Sequence, residues 1–149
     1  MDPAPRAFAD LPRDEALGTP VPFACGTGDR DGAASARDLD GRRVTQCALS
    51  RVCGVCGASL GRPIAFLGSR AEADRNAFHF PPSHLACAEL LLEAYAGTRH
   101  TPVLGQAEGL AAWVLVTTAS FEFVRPSRED LDRRPTFQPN SLLSERAVG

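Results

Sequence analysis

A small α+β domain with extended N- and C-terminal arms is the fold class this sequence predicts, and three observations carry the prediction. The run Trp113–Val124 is apolar with a period of two, as a half-buried strand requires. Residues 84–96 are rich in Ala, Leu and Glu, and suit a helix of about three turns. Between them in kind are two short pairs, Cys53/Cys56 and His84/Cys87, each with two residues between its members. Two such pairs are what a tetrahedral zinc ion needs from a polypeptide.

Composition sets the scale. The 149 residues suit one domain, and 44% hydrophobic content is globular. Only 7% is aromatic, and 13 glycines and 12 prolines accompany it, so a modest core sits inside irregular flanks. A metal staple supports such a core. The formal charge of −2 gives no global attraction to nucleic acid or to acidic membranes. All 16 basic residues are arginine, which reads as a GC-rich coding bias and not as a binding device.

Taken in order, residues 1–43 carry Pro3, Pro5, Pro12, Pro20 and Pro22 with little apolar periodicity, and are expected to form an extended or mobile arm. Within it, the segment Val21-Pro-Phe-Ala-Cys25 can pack locally on the core. Residues 44–124 are expected to be the folded, metal-binding domain. Residues 62–67 predict a short strand between Gly61 and Gly68. Arg70, Glu72, Asp74, Arg75 and Asn76 predict a solvated loop over 69–80. Ser83 is the expected N-cap of the helix and Gly97 its stop. On the strand at 113–124, alternation places Trp113, Leu115, Thr117, Ala119, Phe121 and Phe123 on one face, and Thr118, Ser120 and Glu122 on the other. Residues 125–149, with Pro126, Pro135 and Pro139, are expected to be an extended tail.

The chemistry concentrates at the two pairs. Cys-x-x-Cys-Gly forms a tight knuckle whose backbone N–H groups can face the sulfurs, and Gly54 and Gly57 supply the permissive angles. His84 and Cys87, three apart at a helix start, project from one face. The helix N-terminus favours a thiolate there. A knuckle hairpin, one helix bearing the second pair and an additional strand make a zinc-stabilised, treble-clef-like domain. Its expected ligands to Zn²⁺ are Cys53, Cys56, His84 and Cys87. Three thiolates and a neutral imidazole leave a local charge of about −1 and no vacant position for substrate.

Other readings compete with this one. A thioredoxin-like Cys53/Cys56 redox pair wants a helix starting at the cysteines, which Gly54 and Gly57 disfavour. An iron–sulfur cluster would recruit cysteine in place of His84. The zinc deaminase pattern fails on order and on content, since no His-x-Glu is present. Cys47 stands close enough in sequence to replace a ligand, but reads better as a small buried hydrophobe, as does Cys25. His79 reads as a packing or surface residue before an outer partner of the metal. His100 follows the helix end, where it can meet terminal carbonyls. Glu89 and Glu93 read as a solvated helix face, and Trp113, Phe121 and Phe123 as core before a base-stacking platform. The run after Cys25 (Gly26, Thr27, Gly28, Asp29, Arg30) resembles a phosphate cradle only superficially.

Two longer motifs add a resemblance. Cys53-Gly-Val-Cys-Gly-Ala-Ser-Leu-Gly, then Pro81-Pro-Ser-His-Leu-Ala-Cys-Ala-Glu89, with the later Trp113-Val-Leu-Val-Thr-Thr, is similar to a group of small, uncharacterised zinc-binding proteins of actinobacteria and their phages. The resemblance spans roughly residues 50–124. It implies the same ligand set, Cys53, Cys56, His84 and Cys87, and no activity. A further cysteine near the helix end in that group has no counterpart here, where Gly97-Thr-Arg-His100 stands.

These features point to a non-enzymatic interaction or adaptor module with a structural zinc, and to a protein partner. Nucleic-acid binding through Arg62, Arg70 and Arg75 is the second expectation, and a small metal- or thiol-dependent enzyme the third. The sequence lacks a stretch of roughly 18 apolar residues and a signal-peptide pattern, and its five cysteines are odd in number. A cytoplasmic location, where thiols stay reduced, is therefore expected.

Overall fold

The computed structural model describes residues 8–25 and 34–148. The first strands among the described residues form a two-stranded ladder, β1 (Arg13–Asp14) against β2 (Thr19–Pro20), followed by a 3₁₀ turn at Phe23–Cys25. Then come α1 (Gly41–Ser50), β3 (Ile64–Gly68), α2 (Arg70–Asp74), β4 (Ser83–His84), α3 (Leu85–Ala94), β5 (Trp113–Val124) and β6 (Thr136–Val148). The main sheet has the order β4-β3-β5-β6, with every neighbouring pair antiparallel. The mixed α and β character expected from sequence is present.

Both faces of the central strands are covered, so β3 is buried along its whole length. Ala65, Leu67, Trp113 and Leu115 belong to one hydrophobic cluster, with Leu91 and Tyr95 from the α3 side and Val21 and Ala24 from the N-terminal segment. Ile64, Phe66, Val114 and Val116 belong to a second, with Val44 of α1, Phe78 and Phe137. Phe66 is the hub of the second cluster. Its ring stacks on Phe78 at 5.6 Å and meets Phe121 edge-on at 5.8 Å. Such pairs add to simple area burial.

Several expectations change here. The expected loop at 69–80 contains α2, because Ser69 and Glu72 form a reciprocal capping box. The Glu72 carboxylate, 2% exposed, also accepts from His79 N and Gln106 Nε2, tying α2 to two later segments. Helix α1 begins inside the expected arm, with Asp40 as N-cap accepting from Arg42 N and Arg43 N. Val21, Ala24 and Ala36 of that arm are fully buried. The expected C-terminal tail is extended but not free: β6 pairs with β5 from Trp113↔Val148 to Val124↔Thr136. Ser83 is not the N-cap of α3. It pairs with Ala65 in β4, and His84 takes the cap position without a side-chain cap bond.

Alternation along β5 also breaks. The pairing register shifts between Thr117 and Thr118, and beyond it Phe121 and Phe123 pack with Val114 and Val116 instead of with Trp113 and Leu115. An irregularity of this kind re-aims the side chains that follow it. The glycine-rich run at 26–30 lies outside the described residues.

Phe66→Ala is expected to lower stability by about 3–5 kcal/mol in urea unfolding. Leu131→Ala, at a fully exposed residue, is expected to change it by less than about 0.5 kcal/mol.

Candidate metal centre

The four predicted ligands lie on two segments that meet beside β3. The first is a knuckle. Val52 bridges Ser59, Cys53 N donates to Ala58 O at 2.7 Å, and Gly57 N donates to Cys53 O at 2.8 Å. Gly57 has φ +78°, and a Cβ on it would stand 2.9 Å from the Phe23 ring, so glycine is required on both counts. The second segment is the β4–α3 junction. β4 fixes His84 by pairing it with Ile64, and the first turn of α3 carries Cys87.

Backbone hydrogen bonds lock the knuckle in place from outside. Phe23 N donates to Val55 O and Ala24 N to Gly54 O, both at 2.9 Å, while Gly54 N donates to Pro82 O at 2.8 Å. The N-terminal segment and the strap before β4 therefore clamp the same turn.

The donor atoms of Cys53, Cys56, His84 and Cys87 all lie within 4.8 Å of one another, a grouping that could hold a metal ion. His84 Nδ1 is 3.4 Å from Cys56 Sγ and 3.7 Å from Cys87 Sγ. Its Nε2 stands 2.7 Å from Ser59 O, placed to donate its proton there. That bond leaves Nδ1 as the lone-pair nitrogen, facing the sulfurs. Cys53 Sγ accepts from Val55 N and His84 N, each at 3.3 Å.

Electrostatics separate the three thiols. Burial disfavours charge on Cys53, but hydrogen bonds, first from Cys56 and then from Cys87, outweigh it and hold the thiol well below its ordinary range. The Cys56 and Cys87 thiols are raised, in each case first by their hydrogen bonds to Cys53. Among the three thiols, Cys53 is thus the one whose ionisation its surroundings favour.

The remaining candidates fall elsewhere. Cys47 is buried in α1 outside the four-residue group, and burial with the nearby Cys53 pushes its thiol up to about 12. Cys25 Sγ lies 3.9 Å from Ala36 O. Its thiol is likewise pushed up to about 12, first by burial and then by Asp38, Asp14 and Asp40. His79 is buried between Pro135 O and Asp132, each at 3.2 Å, and ties the strap to the 125–135 loop, not to the metal ligands. His100 is exposed. Glu89 and Glu93 are exposed on α3, and Glu89 pairs with Arg146 at 2.6 Å. Sequence reasoning missed Ser59, Phe23 and Ala24, because they contribute backbone atoms that any residue type carries.

Compared with known proteins, the chain matches no family model, no curated protein and no solved structure. Among the described residues, no helix is long and apolar enough to cross a membrane.

Cys25 generates a pH prediction. Its folded pKa is raised above the ordinary 9.0, so its contribution to stability is complete below that value and lost as pH rises toward about 12. Urea unfolding at about pH 8 and about pH 10 is expected to show a loss larger by about 1.4 kcal/mol in the wild type than in Cys25→Ala.

Proposed function

We propose that Cys53, Cys56, His84 and Cys87 bind one Zn²⁺ as a closed structural site, in a non-enzymatic module that presents a surface to a protein partner. The observation that carries the metal is the donor geometry. A tetrahedral zinc with Zn–S of about 2.3 Å and Zn–N of about 2.0–2.1 Å has S···N edges of about 3.6 Å. The Cys56–His84 and Cys87–His84 separations of 3.4 and 3.7 Å bracket that length. The Nε2 bond to Ser59 O is the outer-sphere contact that metal-bound imidazoles make. When bound, the ion supplies cross-linking and charge neutralisation, not an electrophile, because four protein donors complete its tetrahedron. On this reading the knuckle hairpin and α3 form a treble-clef arrangement, and the motif likeness to zinc proteins of actinobacteria and their phages is one of kinship.

The other expectations have less support. Arg70, one of three arginines near the knuckle in sequence, is engaged by Asp74 at 2.9 Å and Glu145 at 3.0 Å, which weakens the case for phosphate binding there. Burial and raised pKa values make Cys25 and Cys47 poor nucleophiles, which weakens the case for thiol catalysis. A protein partner is preferred because the chain is slightly acidic. A reducing compartment such as the cytoplasm belongs to the same proposal, since three thiolates have to stay unoxidised.

Cys56→Ser and Cys87→Ser test it. Each is expected to lose the zinc that a chromogenic chelator releases from the wild type, and to lose cooperative thermal unfolding, because metal-binding free energy in such sites is folding free energy. Full thermal stability in both variants would overturn the structural-zinc reading.

A further inference from the structure

On the far side of α3 from its junction with β4 lies a cavity of about 350 Å³, between the helix and the paired ends of β5 and β6. That volume is in the range of small-molecule sites, about 300–1,000 Å³. Leu92, Leu110 and Trp113 give it an apolar wall. Trp113 and Leu92 are buried, at 6% and 7% exposure, so the wall is part of the core and not a mobile flap. None of the four metal-ligand candidates lines the cavity.

Four charged side chains also line it, and they are not equivalent. Glu89 and Arg146 neutralise each other in an ion pair at 2.6 Å. Glu93 and Arg99 form no ion pair or hydrogen bond among the described residues, with each other or with any other side chain. Glu93 and Arg99 thus line the same cavity with opposite charges that no other side chain neutralises among the described residues. A ligand that answers all three features carries an apolar body, an ammonium for Glu93 and a carboxylate for Arg99.

We infer that this cavity binds a small apolar zwitterion, an apolar α-amino acid or a molecule of that chemistry. Its apolar side chain covers Leu92, Leu110 and Trp113, and its two charges bridge Glu93 and Arg99. The inference is independent of the zinc site.

Trp113 is the only tryptophan of the chain, so its fluorescence reports on the cavity directly. The full-length protein would be titrated with L-leucine and L-phenylalanine. Saturable changes with a Kd of about 1 mM or tighter are expected. Isocaproate, which lacks the ammonium, and isoamylamine, which lacks the carboxylate, should each bind about fivefold or more weakly. Glu93→Gln and Arg99→Gln, both at exposed positions, should weaken L-leucine by a similar factor with unchanged circular dichroism and metal content. No saturable change with either amino acid would overturn the inference. Equal binding of N-acetyl-L-leucine amide would also overturn it, since that result describes a pocket for a peptide side chain. Wild-type affinity in both variants would remove the charge-bridging role on which the ligand class rests.

Discussion

The convergence of three sulfurs and one imidazole nitrogen on a single point is the constraint around which the rest of the chain is arranged. Cys53 is wholly buried, and its sulfur accepts N–H groups from Val55 on its own turn and from His84 on the other segment. The knuckle and the β4–α3 junction are therefore joined at one atom even before a metal is considered. Like-charged thiolates at such a distance repel, and burial adds to the cost. A divalent cation would relieve both terms, which is why this donor set suits one.

Everything near the cluster reinforces that geometry by backbone contacts. The 3₁₀ turn at Phe23–Cys25 donates to the knuckle, and the strap before β4 accepts from it. That strap has its own anchor at the opposite edge of the sheet, where Phe78 and Phe137 exchange N–H···O bonds of 2.9 and 2.7 Å. The same short stretch thus runs from the β6 edge to the β4 edge and delivers His84 to the knuckle. Few aromatic residues are available, but five of the eight phenylalanines (Phe66, Phe78, Phe121, Phe123 and Phe137) are spent on one cluster under this strap.

Legibility from sequence followed how local each signal was. The grouping of Cys53, Cys56, His84 and Cys87 was readable because Cys-x-x-Cys and His-x-x-Cys are short spacings with direct chemical meaning. Strands β3 and β5 were readable from apolar runs, and α3 from its composition. Helix α2 was missed although its capping box, Ser69 with Glu72, is a local signal; the charge density around it suggested solvent instead. Helix α1 was missed because only Val44 and Cys47 are buried in it, too few for a visible apolar stripe. Strand β6 was missed for a different reason. Its residues 140–147 are all exposed and mix Leu142 and Leu143 with polar side chains, so no alternation marks it, and it is held by a long-range ladder to β5 that no local pattern encodes. The re-aimed Phe121 and Phe123 share that cause, since the register shift depends on the partner strand.

The most direct test of the central claim is zinc-edge X-ray absorption, with metal content, on untagged protein. One zinc per chain surrounded by three sulfurs and one nitrogen is the expected result. Zinc with fewer protein donors and a bound oxygen, or folded protein with no stoichiometric metal, would contradict it.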